Sequence, residues 1–137
     1  SIVGPDITPN GIGLLNWFLK QTGEINGYRK VLWTGQTTLQ LAKTMEVVAK
    51  EKAHGLFNMV PDEAISKFDL LCLFNKYFRD NTLIIHPSDS LVVDKSLRRT
   101  RFEFSYLIPD YEKMIQELAE WTKKHSDLYP HYNLKKV

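Results

Sequence analysis

The segment KVLWTGQTTLQLAK, residues 30 to 43, contains the change of hydrophobic period on which the fold class depends. Residues 30 to 33 are a short apolar run that predicts a strand, and Gly35 supplies a turn. The threonines that follow are good helix caps. We expect a helix over residues 38 to 53 with an apolar stripe of Leu41, Met45 and Val48. A strand that leads directly into a helix indicates a mixed α/β architecture.

Similar patterns predict further elements on both sides of this segment. Short strands are expected at residues 2 to 3, 56 to 59 and 82 to 86, the last closed by Pro87. Helices are expected from Ile12 to Lys20, from the capping pair Ser66 and Asp69 through Phe78, and from Pro109 to about His125. Short strands alternating with three to four helices indicate an α/β chain, or an α+β chain when it is taken as an isolated lobe.

Length and composition indicate one globular domain. The chain has 137 residues, 43% hydrophobic and 25% charged, with a net charge of only +2, which excludes the strong positive field of a dedicated nucleic-acid binder. No apolar run approaches the roughly 18 residues of a membrane span. The single cysteine, Cys72, excludes an intrachain disulfide and favours a reducing, cytoplasmic location. Because the chain opens on SIVGP without a methionine, we interpret it as a piece of a longer protein.

A basic segment, DKSLRRTRFEF, spans residues 94 to 104 just before an apolar alternation that resembles a strand. Its cations are Lys95, Arg98, Arg99 and Arg101. An arginine presents a fixed fork of donors that suits phosphate oxygens, so this cluster predicts a grip on a diphosphate. A solvated charge run, paired with Asp94 and Glu103, explains the same residue types equally well.

Other candidate residues lie near the ends of predicted elements, where sheets of this kind open their ligand clefts: Asn16, Trp17, Lys30 and Trp33. For the two tryptophans, packing in the core is the favoured alternative.

Three further patterns resemble known sites but do not fit them, so we predict no catalytic, cofactor-binding or metal-binding residue in this chain. GIGLLN, residues 11 to 16, has Asn16 in place of the third glycine of a dinucleotide loop. Tyr132 and Lys136 have the YxxxK spacing of a proton-transfer pair, but they follow Pro130 in a polar tail. The four histidines have no spacing typical of metal ligands.

Taken in order, five segments resemble the C-terminal part of extended short-chain dehydrogenases/reductases that act on sugar nucleotides, most closely the dTDP-4-dehydrorhamnose reductase type. They are SIVGPD, GLLNWFL, LWTGQTTLQLAK, GLFNM and DKSLRRTRFEFSYLIPDYEKMIQEL, and the resemblance extends to about Trp121. It implies that a Rossmann half, with the glycine-rich NAD(P) loop and the catalytic Ser/Thr and YxxxK residues, is missing here. Residues 1 to 125 would be the substrate-binding lobe, and residues 126 to 137 a flexible tail.

The resemblance also implies roles for individual residues. Asn16 and Trp17 match an Asn-aromatic pair beside the nucleotide, and residues 30 to 37 match the segment that lines the sugar. DKSL matches an Arg-x-x-Ser-x-Leu region, with Lys95 in place of the arginine. The expected substrate-binding residues are therefore Asn16, Trp17, Lys30, Trp33, Thr37, Lys95, Ser96, Arg98 and Arg101.

In a complete enzyme of this type, hydride passes from NADPH or NADH to a 4-keto sugar nucleotide. We expect the cofactor to bind to the missing half and not to this chain alone. The expected partners are the nucleotide sugar and that half, with no nucleic acid and no membrane, and a homo-oligomer is left open. Two alternatives remain: a non-catalytic binding or regulatory module derived from the lobe, and a small RNA-binding domain that uses Phe102 and Phe104.

Overall fold

Two long strands, β2 (Glu24–Trp33) and β5 (Ile84–Lys95), pair in parallel and form the larger sheet of the computed structural model, which describes residues Ile2 to Leu134. Their register runs from Glu24 opposite Ile84 to Trp33 opposite Lys95, with one irregularity between Tyr28 and Lys30. The short strand β4 (Ile65–Ser66) pairs antiparallel with the other edge of β2.

A second, parallel sheet joins β1 (Ile2–Val3) to β3 (Gln36–Thr37). The helices of the described residues are α1 (Leu14–Leu19), α2 (Thr38–Glu51), α3 (Lys67–Arg79) and α4 (Tyr111–Lys124). The mixed α/β class expected from the sequence is confirmed. Between Ile2 and Leu134, no helix is both long enough and apolar enough to cross a membrane.

Helix α3 lies at the centre of the core. The Ser66 hydroxyl accepts the Asp69 backbone N–H at 3.0 Å and donates to the Asp69 carboxylate at 2.6 Å, so the predicted capping pair is confirmed. Phe74, which is fully buried, packs against Phe18 of α1 and Phe78 with ring centroids 5.6 and 6.3 Å apart. The same core includes α4 through Met114, Ile115 and Leu118.

The reversal from α3 into β5 depends on one buried amide. The Asn75 side chain donates to the Leu83 carbonyl oxygen at 2.8 Å and accepts the Leu83 backbone N–H at 3.2 Å. Asp80 and Asn81 complete the turn with positive φ angles of 49° and 58°. These bonds satisfy backbone groups that would otherwise be buried without partners.

Helix α2 begins at Thr38 as predicted, but the face that it buries is polar. Gln40 and Thr44 are buried, whereas Met45 of the predicted apolar stripe is 62% exposed and Leu41 and Val48 are half-buried. The Thr44 hydroxyl donates to the Gln36 side-chain oxygen at 2.7 Å, and the Gln40 amide donates to the Tyr106 hydroxyl at 2.7 Å. Because these side chains hydrogen-bond to one another, their polar groups can be buried where an apolar contact was expected.

The strand predicted at residues 56 to 59 is wrong. Its carbonyl groups find side-chain partners instead of a neighbouring strand: the Leu56 oxygen accepts from Arg101 at 3.3 Å and the Met59 oxygen accepts from Gln36 at 2.7 Å. The apolar alternation at residues 102 to 104 forms no strand either.

The strand predicted at residues 82 to 86 begins at Ile84 and continues well past Pro87. The Ile84 N–H donates to the Gly23 oxygen at 3.0 Å, so alternation places the Pro87 nitrogen on the outer edge. A proline that faces away from the ladder costs no hydrogen bond, which is why β5 does not end there.

The segment expected to be a flexible tail from Ser126 folds back, as far as it is described, in two 3-10 turns, Ser126–Leu128 and Pro130–Tyr132. Tyr129 and Tyr132 are buried and stack with centroids 5.8 Å apart. The Tyr132 hydroxyl accepts the Asp6 backbone N–H at 2.7 Å. Lys136, the other member of the YxxxK pair, lies outside the described residues.

We predict that Tyr132→Phe lowers the free energy of unfolding by about 1 to 2 kcal/mol, because it removes the acceptor of the Asp6 amide. The matched control is Tyr129→Phe, since no described residue hydrogen-bonds to that hydroxyl, and its effect should stay within about 0.5 kcal/mol. Urea denaturation measures both values. Equal effects for the two variants would contradict the packing of this segment.

Candidate functional site

The carboxyl ends of β2 and β5 form the candidate site. Trp33 and Lys95 are register partners on one face of the sheet, while Leu32 and Asp94 are partners on the opposite face. A cleft opens on each face beside these strand ends. Ligands in parallel α/β sheets typically bind at this end, because side chains from several strands and loops converge there.

The first cleft, here called the Trp33 cleft, lies on the face covered by α3 and has a volume of about 230 Å³. Its walls are mostly apolar and include Val31, Trp33 and Leu70, while Lys67 and Lys95 supply its charge. The Tyr111 ring packs against the Trp33 ring, with centroids 5.9 Å apart. Burial raises the pKa of Tyr111 to about 12, so its hydroxyl stays protonated and donates to the Trp33 carbonyl oxygen at 3.5 Å.

The second cleft, here called the Ser96 cleft, lies on the other face and has a volume of about 390 Å³. It brings together polar side chains of both signs and one exposed ring: Thr34, Asp62, Asp94, Ser96, Arg98, Arg99 and Phe102. The Thr34 hydroxyl accepts the Leu97 N–H at 2.7 Å, which ties the end of β2 to the basic segment.

Ser96 and Asp94 form a rigid polar pair in the Ser96 cleft. The Asp94 carboxylate accepts the Ser96 hydroxyl at 2.6 Å and the Ser96 backbone N–H at 2.8 Å. These hydrogen bonds, together with the nearby charge of Arg98, lower the pKa of Asp94. The carboxylate therefore stays ionised and limits the net positive charge of this cleft.

The three arginines of the basic segment have different surroundings. Arg99 donates to the carbonyl oxygens of Tyr106, at 3.0 Å, and of Phe104, so it holds its own loop together. Arg101 donates to Glu103 at 3.1 Å and lies over the Phe57 ring at 4.3 Å.

Arg98 is the arginine of this cluster whose guanidinium forms neither a hydrogen bond nor an ion pair with any residue from Ile2 to Leu134. Of the three arginine side chains, it is therefore the one available to a ligand. The residue types of the segment gave no sign of this division.

The remaining predicted site residues lie elsewhere. Lys30 is exposed on β2 with its ammonium group 3.7 Å from the Asp89 carboxylate. Thr37 is buried, where its hydroxyl caps α2 by accepting the Gln40 N–H at 3.1 Å. Asn16 is buried in α1 and donates to the Gly11 oxygen, while Trp17 beside it is 42% exposed. None of these four lines either cleft among the described residues.

The glycines at residues 11 to 13 do not form a site for a dinucleotide. The Asp6 carboxylate accepts the Gly13 backbone N–H at 3.3 Å. A Cβ atom added to Gly11 would lie only 2.1 Å from a carboxylate oxygen of Asp6. A carboxylate in this position repels a pyrophosphate, and α1 has only six residues. These residues therefore do not fit NAD or NADP.

The exposed aromatic pair that RNA stacking requires is absent from the basic segment. Phe104 is 3% exposed and packs against Phe57 and Tyr106, with centroids 6.2 Å away in each case. Phe102 alone is exposed, at 69%. The Arg99 guanidinium lies over this ring, 5.4 Å from its centroid, and a single exposed ring gives little support to stacking of successive bases.

Sequence reasoning missed Lys67 and Asp62, which line the two clefts. Lys67 is the first residue of α3 and Asp62 precedes β4, so neither falls in the basic segment or in a motif that indicates ligand binding. Only the packing of α3 and β4 against β2 brings them to the site.

No protein family model matches the chain, and no curated protein matches it. The chain is similar to solved structures. With the dTDP-4-dehydrorhamnose reductase of Clostridium acetobutylicum it has a TM-score of 0.65 and 16% identity, over 83% of this chain and 45% of that one. With the Bacillus anthracis dTDP-4-dehydrorhamnose reductase, in complex with NADP, the TM-score is 0.66 and the identity 11%, over 85% and 44% of the two chains.

The chain is also similar to the UDP-N-acetylglucosamine 4-epimerase of Methanobrevibacter ruminantium, in complex with UDP-N-acetylmuramic acid. It has a TM-score of 0.59 and 12% identity, over 91% of this chain and 44% of that one. The chain thus spans less than half the length of the solved proteins it matches. The resemblance expected from the sequence is confirmed at the level of the fold, and the chain has the fold of the C-terminal lobe of dTDP-4-dehydrorhamnose reductases.

Proposed function

We propose that this chain is the substrate-binding part of an NAD(P)-dependent enzyme that reduces a 4-keto sugar nucleotide. One observation carries the proposal. Trp33, Lys95, Ser96 and Arg98 converge on the carboxyl ends of β2 and β5, although the two strands are far apart in the sequence. The solved proteins of this fold support the substrate class, since their names refer to dTDP- and UDP-linked sugars.

The chemistry of the two clefts fits a ligand with an anionic part and a hydroxyl-rich part. The free Arg98 guanidinium offers charge-assisted hydrogen bonds to phosphate oxygens. Asp62 offers a carboxylate acceptor for sugar hydroxyl groups, and the exposed Phe102 ring offers an apolar surface to a sugar ring. We propose that this lobe binds and orients the substrate and does not carry the reacting groups.

The cofactor and the catalytic residues would belong to a further half. NADPH or NADH supplies the hydride in reactions of this kind, and the structure from Bacillus anthracis contains NADP. The sheet of β1 and β3 supports such a half, because an isolated parallel sheet of two-residue strands is unusual and parallel sheets are normally covered on both faces. Exposed apolar side chains in β1, in the loop before α1 and in α2 include Ile2, Ile12 and Met45.

Two further expectations remain proposals. The single cysteine supports a cytoplasmic location, and the exposed apolar side chains would also permit a homo-oligomer. A non-catalytic module that kept the lobe for binding would have the same clefts but no partner half.

We predict that the 137-residue chain binds dTDP or UDP but does not oxidise NADPH in the presence of a 4-keto sugar nucleotide. The physical reason is that the Asp6 carboxylate occupies the loop in which a dinucleotide phosphate would have to sit. Calorimetry measures the binding, and absorbance of NADPH measures the reaction. Consumption of NADPH by this chain alone, or the absence of binding for both nucleotides, would contradict the proposal.

We also predict that Arg98→Ala weakens dTDP binding about tenfold or more while leaving the free energy of unfolding within about 0.5 kcal/mol, since its exposed guanidinium forms no hydrogen bond or ion pair with the described residues. Arg99→Ala is the matched comparison, and it should lower the free energy of unfolding by about 1 to 3 kcal/mol because the carbonyl oxygens of Arg101, Phe104 and Tyr106 lose their donor. Calorimetry and urea denaturation on both variants separate the roles. If neither variant changes binding, the basic segment is a solvated charge run.

A further inference from the structure

We infer that Lys67 is a second phosphate-binding residue, acting with Lys95 from the Trp33 cleft on the diphosphate of a nucleotide sugar. The inference rests on the proposed function and adds to it a residue from a different element. Lys67 begins α3, whereas Lys95 ends β5, and the two side chains line the same cleft.

Neither ammonium group has a partner within the described part of the chain. No hydrogen bond or ion pair joins the ammonium group of Lys67 or of Lys95 to any residue from Ile2 to Leu134. Two other lysines in helices are paired: the Lys43 ammonium group lies 2.6 Å from Glu117, and that of Lys76 lies 2.6 Å from Glu112. The Trp33 cleft thus has two ammonium groups at an apolar wall that no described residue pairs directly.

The position of Lys67 in α3 is electrostatically unfavourable in the absence of an anion. A cation in the first turn of a helix faces the positive end of the helix dipole. The acidic residue of that turn, Asp69, accepts the Ser66 hydroxyl at 2.6 Å and keeps its negative charge there, which offsets part of this cost. A bound phosphate would add a direct partner for the Lys67 and Lys95 ammonium groups.

The two clefts differ in charge, and this difference indicates which part of the ligand each receives. Among the described residues no carboxylate lines the Trp33 cleft, whereas Asp62 and Asp94 line the Ser96 cleft. A volume of about 230 Å³ holds a planar ring or a pyrophosphate but not a whole nucleotide sugar. The diphosphate would therefore lie across the strand ends, with Lys67 and Lys95 on one side and Arg98 on the other.

The test compares Lys67→Ala with Lys124→Ala in the 137-residue chain, using calorimetric titration with dTDP and with dTMP. Lys124 is an exposed lysine of α4 that lines neither cleft. We expect Lys67→Ala to weaken dTDP binding about tenfold, to weaken dTMP binding less, and to lose part of its effect at high salt. Lys67→Arg should restore most of the affinity, and Lys124→Ala should bind as the unaltered chain does.

A second variant, Lys67→Gln, keeps most of the side-chain stem and should show the same loss if charge is the cause. Wild-type dTDP affinity in both Lys67→Ala and Lys67→Gln, together with a loss in Arg98→Ala, would overturn this inference and leave the proposed function intact. If the unaltered chain binds neither dTDP nor UDP, the proposed function fails and the inference fails with it.

Discussion

The parallel pairing of β2 with β5 is the constraint on which the rest of the structure depends. It joins segments separated by about sixty positions and places Trp33 opposite Lys95 at the carboxyl end of the pair. Helix α3 covers one face of β2, and its buried side chains connect the sheet to α1 and α4. Both clefts lie at the same strand ends, so a shift of register by one residue would exchange the residues that line them.

A second constraint fixes the basic segment. The Tyr106 hydroxyl accepts from Gln40 of α2, and the Tyr106 carbonyl oxygen accepts from Arg99. The chain between these contacts and β5 is held further by the bond between Thr34 and Leu97. Arg99 and Arg101 serve this framework, which leaves Arg98 exposed at the rim of the Ser96 cleft. Two arginines of the segment therefore stabilise the loop, and the third, Arg98, is left for the proposed ligand.

The helices were predictable because their signals are local. The capping pair at Ser66 and Asp69 and the threonine cap of α2 depend on residues a few positions apart. The strands were harder, since an apolar run such as residues 56 to 59 becomes a strand only when a neighbour offers hydrogen bonds. Pro87 indicated the end of a strand, but that rule does not hold for a nitrogen on the outer edge.

The candidate site was predictable only in part for the same reason. Residue types indicated Trp33, Lys95 and Arg98, and the family resemblance added Ser96; the structure brings these four to the strand ends. Residue types could not separate them from Thr37, a buried cap, or from Asn16, which is closed in by its own loop. Lys67 was missed because only the packing of α3 brings it to Lys95.

The most direct test of the central claim is a titration of the 15N-labelled chain with dTDP, followed by NMR. The account predicts that the largest amide shift changes occur at residues 33 to 35, 66 to 68 and 94 to 98, on both sides of the β2 and β5 strand ends. Changes confined to another surface, such as the cleft lined by Leu19, Arg79 and Lys123, would contradict it.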